Sequence, residues 1–437
     1  MAVFFFAIIL CNQKKSSNKS SRSSYSYSSR FSAPIFFYFC SMIKLVRDNI
    51  FKLYIIKIAK WFSLIMPIVV LFYQDNGLSM TQIFLLKSVY SVGMLIFEIP
   101  SGYFGDVWGR KKTLIVGTLM ATLGFSFYSF SFAFWQFMVA ELVLGIGQSF
   151  ISGSDSAMLY DTLKSKNRES EYLKYEGRVT SVGNFSEAIA GILGGLLATI
   201  TLRTPFFFQV GIAAMAIPAA LTLTEPDFID KKRIASLKDV FNVVRYAMVD
   251  YTKLRYFILF SSLIGTATLT FAWFLQPVLI EIDIPVALFG VFWTLLNITV
   301  GTSSIYAHKF RERFSQKQTT RFIYISIGLG YIITAAFISL WIIPVLFAFY
   351  LVRGVATPVL KDYINYLIES EVRATVLSLR NMFIRINFAI IGPVLGWFTD
   401  HYSLKTGLLI AGIFFLLSGA VLFYFTYSVP VASKRDR

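Results

Sequence analysis

Twelve stretches of mostly apolar sequence, each about twenty residues long, constrain the fold of this chain more than any other feature. A helix that crosses the hydrocarbon core of a bilayer needs about 20 such residues. Only 15% of the 437 residues are charged and 56% are hydrophobic, too much apolar surface for one water-soluble core. We therefore expect an all-α polytopic membrane protein with twelve transmembrane helices. The expected spans are residues 53–73, 82–104, 113–131, 134–155, 179–200, 205–223, 256–280, 286–306, 321–340, 344–366, 375–398 and 404–427.

The basic residues indicate how these spans are oriented. A net charge of +17 would suggest a nucleic-acid partner in a soluble protein. Here 36 of the 41 Lys and Arg residues fall on one side of the predicted spans, and only Arg203 and Lys405 fall on the other. Cytoplasmic loops carry such an excess. We therefore expect both chain ends in the cytoplasm, the lipid bilayer as the surroundings, and no nucleic-acid partner.

Residues 1–41 form a different kind of sequence, with serine at ten of the seventeen positions from Ser16 to Ser32. A Ser- and Arg-rich, acid-poor targeting leader is one interpretation. A disordered tail, or a misassigned start with Met42 as the first residue, is the other, and we favour it. Both cysteines, Cys11 and Cys40, lie here, so we expect no disulfide and no cysteine metal site in the membrane core.

An internal repeat divides the spans into two sets of six. The segment that follows span two, Gly102 to Lys111, has a weaker counterpart 202 residues later, Ser304 to Arg313. At the same offset, residues 190–195 of span five match residues 392–397 of span eleven. Two matches at one offset predict two pseudo-symmetric six-helix bundles. The expected divisions are bundles at 42–224 and 256–428, a linker at 225–255 and a basic tail at 429–437.

Charged residues inside the spans are the strongest evidence for a functional site, because a charge at the bilayer centre costs several kcal/mol unless it is paired or hydrated. Four of them stand roughly 10–14 Å inside a span, two in each half. We expect these four to bind substrate or protons in a cavity between the halves, with a static ion-pair network as the alternative. The four are Glu141, Glu187, Arg353 and Arg385, and the further candidates are Lys87, Glu98, Gln148 and Asn381.

Two of the further candidates also have a structural interpretation. Lys87 is near enough to a span end for its side chain to snorkel to the interface. Glu98 stands just before Pro100, where it could be a structural partner of the segment that follows.

The segment Glu98 to Lys111 resembles the signature loop of the major facilitator superfamily, although the family's usual Arg after the Asp is Val107 here. The resemblance implies the twelve-span transporter fold over about residues 44–428 and a bacterial inner or plasma membrane location. It also implies a cytoplasmic latch, in which Asp106 meets the start of span eleven. The alternative is that the basic residues of this loop, 110–112, serve only to set the orientation of the spans in the membrane. The latch residues would be Gly102, Gly105, Asp106, Gly109, Arg110 and Lys111.

The expected activity is secondary transport of a small organic solute by alternating access, coupled to protons through Glu141 or Glu187. Export of drugs or metabolites is our first choice, although Glu141 stands where drug–proton antiporters of the superfamily carry an Arg. Uptake of a nutrient or organic ion is the second choice, and a lipid-handling or sensor protein is the alternative from another class. We expect a monomer and no enzyme activity, cofactor or metal site, since neither a phosphate-binding loop nor a metal-ligand motif is present.

Overall fold

The computed structural model describes residues 48–226, 237–369 and 372–428, and these are almost entirely helical. The extension at 1–41 and the tail at 429–437 lie outside the described residues. The helices are α1 (Asn49–Trp61), α2 (Val69–Asp75), α3 (Met80–Val107), α4 (Arg110–Phe130), α5 (Phe134–Lys164), α6 (Tyr172–Ala198), α7 (Thr204–Ala214), α8 (Ala216–Thr222), α9 (Leu237–Arg245), α10 (Thr252–Glu281), α11 (Val286–Ile305), α12 (Ala307–Arg313), α13 (Gln316–Ala336), α14 (Ile343–Tyr366), α15 (Arg373–His401) and α16 (Leu404–Ser428).

Within the described residues, eleven helical segments are long and apolar enough to cross a membrane. They correspond to predicted spans two to twelve, with α7 and α8 together forming span six. Together with the interrupted first span, which α1 and α2 form, these eleven segments confirm the all-helical, twelve-span fold class. The predicted linker at 225–255 contains helical structure that the sequence analysis did not predict, namely α9 and a π-helical turn at Tyr246–Asp250.

The first predicted span, residues 53–73, is not one continuous helix as the sequence pattern suggested. It is divided into α1 and α2 by a non-helical segment, 62–68. Pro67 lies in this segment, where it lacks an N–H group and its ring would clash with the carbonyl group four residues earlier in a helix. An interruption inside a membrane leaves backbone groups that water cannot satisfy, so protein groups must do so.

Two buried glutamines supply those hydrogen bonds. Gln209 of α7 accepts a hydrogen bond from the Leu64 N–H at 2.8 Å. Gln276 of α10 accepts one from the Val70 N–H at 2.8 Å and donates one to the Met66 carbonyl oxygen at 2.8 Å. The interruption in the first bundle is therefore held partly by a side chain of the second bundle.

The two membrane faces of the protein differ in how the bundles meet. We call the face that carries residues 102–111 the motif face and the other one the far face. At the far face, the Asp400 carboxylate at the end of α15 accepts hydrogen bonds from the N–H groups of Met80 and Thr81, both at 2.8 Å. It thus caps the first turn of α3, where a negative charge is favoured.

A second contact between the bundles joins α6 to α11 without intervening side chains. A Cβ atom on Gly290 would overlap the carbonyl oxygen of Gly191, and one on Gly195 would lie 2.9 Å from the Gly290 nitrogen. Small residues permit this backbone approach in membrane helices. Gly191 and Gly195 of α6 thus form a packing surface between the bundles, in the half of the membrane nearer the far face.

We expect Gln276→Ala to destabilise the protein by about 1–3 kcal/mol, because it leaves buried backbone groups of the 62–71 region without partners. The measurement is thermal unfolding of purified protein in detergent. Gln316→Ala is the matched control, since the Gln316 side chain is half-buried and has no hydrogen-bond partner within the described ranges. Equal melting temperatures for both variants would contradict the role given to Gln276.

Candidate functional site

A cavity of about 360 Å³ lies between α3 of the first bundle and α10 and α15 of the second. Three predicted site residues, Lys87, Asn381 and Arg385, are in its wall, so the structure brings together candidates from both halves. The rest of the wall is mostly apolar or aromatic. The lining residues are Lys87, Tyr90, Ser91, Met94, Leu269, Trp273, Asn381, Ile384, Arg385 and Phe388.

Lys87 and Glu141 form a buried ion pair behind this wall. Lys87 is 8% exposed and Glu141 is 1% exposed, and the ammonium group contacts the carboxylate directly. The Tyr73 hydroxyl donates a second hydrogen bond to the same carboxylate at 2.8 Å, and the Tyr73 and Tyr128 hydroxyls are themselves hydrogen-bonded. The interpretation of Lys87 as a snorkelling residue is therefore wrong, because its charge is neutralised inside the membrane rather than at the interface.

Aromatic rings complete the surroundings of the Lys87 ammonium group. Its nitrogen lies 4.9 Å from the ring centroid of Trp273, 5.2 Å from that of Tyr73 and 6.0 Å from that of Tyr128. These distances fit cation–π contacts, which strengthen when the cation is desolvated. Lys87 lines the cavity and Glu141 does not, so the cavity is presented with the cation of the pair while the anion lies behind it.

Arg380 is a site residue that the sequence interpretation missed. It is 4% exposed; its Nε donates to Ser261 Oγ at 2.5 Å, and its Nη1 donates to Asn381 Oδ1 at 3.1 Å. The sequence interpretation counted it among the 36 basic residues of the cytoplasmic side; that placement was wrong, because Arg380 lies two turns inside α15, which begins at Arg373, and its side chain is buried. Its position five residues inside the expected span 375–398 was the signal that could have identified it.

Arg385 is the charged residue of the cavity wall that remains without a counter-ion. It is partly exposed, and no hydrogen bond or ion pair joins its guanidinium group to any residue that the structure describes. Asn381, one helical turn earlier, shares this wall as the i−4 spacing predicted.

The other candidates lie elsewhere. Glu187 of α6 is half-buried and interacts electrostatically with Arg353 of α14, although the two form no salt bridge in the described part of the chain. The Arg353 guanidinium lies 5.3 Å from the Tyr350 ring centroid. Glu98 is exposed and Gln148 is half-buried, and neither lines the cavity. The predicted acids and bases are thus distributed over several places.

The motif at 102–111 forms a charge cluster within the first bundle. Arg110 forms ion pairs with Asp106 at 2.5 Å and with Asp161 of α5 at 3.7 Å. Gly105 makes room for this arrangement, because a Cβ atom there would lie 2.6 Å from Arg110 Nη1. A Cβ atom on Gly102 would meet nothing within 4 Å, so Gly102, a predicted latch residue, makes no close helix contact in this structure.

The Glu225 carboxylate, which lies outside the motif, stabilises the turn at Gly109. Gly109 has φ +99°, a conformation that favours glycine. Glu225 accepts hydrogen bonds from the N–H groups of Arg110 at 2.7 Å and Lys111 at 2.9 Å, which caps the start of α4. The sequence interpretation placed Glu225 in the linker and did not connect it with the motif.

The expected contact between Asp106 and the start of span eleven is not formed in this structure. Among the described residues, Asp106 has no hydrogen-bond or ion-pair partner in the second bundle. The bundles meet at the far face through Asp400 and Gly290, which is consistent with a conformation in which the motif face is not latched. The latch stays a prediction for another conformation of the protein.

A second charge cluster in the first bundle was not predicted as such. Lys57 and Lys60 of α1 both contact Asp155 of α5, at 3.3 Å and 3.5 Å. All three side chains are largely buried, so the lysines are ion-paired rather than simple interfacial anchors.

Comparison with known proteins agrees with this architecture. The sequence model of the Major Facilitator Superfamily matches residues 61–391. The tetracycline resistance protein, class H, of Pasteurella multocida is 27% identical over 359 residues, which cover 78% of this chain and 86% of that protein. Multidrug resistance protein 1 of Bacillus subtilis (strain 168) is 26% identical over 166 residues, 38% of this chain and 42% of that protein. The crystal structure of the nucleoside transporter NupG has the same fold, with a TM-score of 0.74 at 13% identity, covering 88% of this chain and 98% of that one.

The buried pair should show strong energetic coupling. We expect Lys87→Met or Glu141→Gln alone to lower the free energy of unfolding by up to about 5 kcal/mol, because each change leaves the partner side chain buried without its counter-charge. The double variant should recover part of that loss. Unfolding of the four proteins in detergent as a double-mutant cycle measures the coupling. Additive effects of the two changes would show that the pair contributes no coupling energy.

Proposed function

Because the chain belongs to the major facilitator superfamily, we propose that it is a secondary active transporter that moves a small organic solute by alternating access. The observation that carries this proposal is the cavity of about 360 Å³ whose wall comes from both bundles. Cavities of about 300–1,000 Å³ suit drug-sized ligands. Rocking of the bundles about this cavity would expose it to each side of the membrane in turn.

We further propose that Glu141 is the proton site. Its carboxylate is neutralised by Lys87, which also lines the cavity. A ligand that draws the Lys87 ammonium group away leaves a buried carboxylate without a counter-charge, and protonation then becomes favourable. Ligand binding and proton binding are therefore linked through one lysine. Glu187, with Arg353 nearby, is the second candidate for this role.

Export is the preferred direction, supported by relatives named for tetracycline and multidrug resistance. Uptake is the second candidate, and it is the direction that the shared lysine supports, because an anionic solute and a proton would then bind together, as in a symporter. The asymmetry of basic residues supports a plasma-membrane protein with the motif face and both chain ends in the cytoplasm.

The direction can be measured in inverted membrane vesicles that contain the protein. The solutes are a tetracycline, a quinolone and a nucleoside, and the vesicle interior is made acidic. Proton-coupled export predicts accumulation of the solute inside, whereas uptake by symport predicts its loss from preloaded vesicles. Vesicles without the protein are the control. Flux that does not change when the pH gradient is collapsed would contradict proton coupling.

Glu141→Gln should separate transport from coupling. We expect gradient-driven accumulation to fall by at least about tenfold while downhill exchange of the same solute continues, because the variant carries no proton at this position. Glu281→Gln is the matched control, since Glu281 is exposed at the end of α10. If Glu187→Gln abolishes accumulation and Glu141→Gln does not, the proton site is Glu187.

A further inference from the structure

We propose that the cavity selects small organic anions and that Arg385 binds their anionic group. The proposal rests on the transport function above, and it gives that function a substrate class. The charges at the cavity wall are its starting point. Lys87 and Arg385 are the charged residues of the wall, and the lining contains no acidic residue within the described ranges. An approaching ligand therefore meets positive charge.

The positive charge of this region exceeds its negative charge. Lys87 is matched by Glu141, but Arg385 has no counter-ion among the residues described. Arg380, buried beside the wall, has the neutral partners Ser261 and Asn381. Lys361 of α14 is close enough to Arg380 to repel it, and no ion pair joins Lys361 to a residue in the described ranges.

An uncompensated cation in the middle of the membrane is costly, and an anionic ligand reduces that cost. Arginine suits the task, because its planar guanidinium group donates two parallel hydrogen bonds to a carboxylate. A cationic ligand would have to pass Lys87 to reach the Glu141 carboxylate, which is 1% exposed. The arrangement thus favours anions and opposes cations.

Neutral donors in the same wall support this assignment. The Asn381 carbonyl oxygen accepts a hydrogen bond from Arg380, which leaves the Asn381 amide N–H groups to donate. Arg380 is thus a positioning residue that orients Asn381. The Trp273 indole N–H is buried and has no hydrogen-bond partner in the part of the chain that the structure describes, so it is a further donor.

The remainder of the wall defines the rest of the ligand. Tyr90, Trp273 and Phe388 provide aromatic surface, and Leu269 and Ile384 provide aliphatic surface. Such walls bind apolar, often planar, groups. The substrate class is therefore an organic monoanion with an aromatic or aliphatic body, rather than a small inorganic ion.

Three matched probes test the selectivity: 1-naphthoate, 1-naphthylmethanol and 1-naphthylmethylamine, which carry a negative, zero and positive charge. Each is titrated into the purified full-length protein in detergent, at constant pH and ionic strength, and the melting temperature gives the apparent affinity. We expect naphthoate to stabilise the wild-type protein at concentrations at which the amine has little effect.

The variants identify the binding group. Arg385→Gln should weaken naphthoate binding by at least about tenfold, the loss expected for a charged hydrogen bond, and Arg385→Lys should weaken it less. Lys405→Gln removes the same charge at an exposed far-face position and should change nothing. Arg380→Gln should reduce the preference for naphthoate over naphthylmethanol without weakening binding of the alcohol, a change that a purely structural role would not produce.

The proposal is overturned if the amine binds as well as naphthoate, if naphthoate does not stabilise the wild-type protein, or if Arg385→Gln binds it with unchanged affinity. The ratio of the apparent affinities of naphthoate and naphthylmethylamine is measured on the wild-type protein, so it tests the proposal even if Arg385→Gln does not fold. Binding is measured without a gradient. Anion binding without transport in vesicles would therefore contradict the proposed function alone, whereas transport confined to cations would contradict the anion assignment alone.

Discussion

The requirement that polar groups find partners inside the bilayer determines most of what is distinctive in this structure. Water cannot satisfy a backbone N–H group or a charge in the hydrocarbon region, so each must be satisfied by protein. Gln276 does this for the interruption in the first span, and Glu141 does it for Lys87. Arg385 is the conspicuous exception in the described part of the cavity wall, which is why it is assigned to the ligand.

Several of these partners belong to the opposite bundle, and this connects stability with conformational change. Gln276 and Asp400 of the second bundle hold backbone groups of the first. Separating the bundles at the far face would break these hydrogen bonds, so that opening has a free-energy cost that new contacts at the motif face must offset. The Asp106 and Arg110 pair lies at that face, where it is available for such contacts.

The cavity connects the need for polar partners with conformational change, because the proposed mechanism has groups of its wall exchange partners when a ligand binds. Lys87 stands between Glu141 and the cavity, so under the proposal it would be the shared partner of a buried acid and of an incoming anion. A shared partner links two binding events without any long-range path between them. In the proposed mechanism, the site would therefore need few charged residues to combine recognition of a solute with recognition of a proton.

The sequence by itself determined the membrane class, the number of spans, the repeat and the candidates Lys87, Glu141, Asn381 and Arg385, because hydropathy and the cost of buried charge act on single positions. Tertiary structure alone decided which of the charges face one another. Glu141 is screened by Lys87, whereas Glu98 stands apart from the cavity. Pairing of this kind depends on helix rotation and packing, which leave no periodic signal in the chain.

The missed features have the same physical origin. The interruption at 62–68 depends on Gln276, which is 206 residues from Val70 in sequence. The contribution of Arg380 depends on its burial against Ser261 of α10, which is 119 residues away in sequence. Local composition thus established how often the chain crosses the membrane, and long-range packing decided which of the described charges are paired and which one the proposal assigns to a ligand.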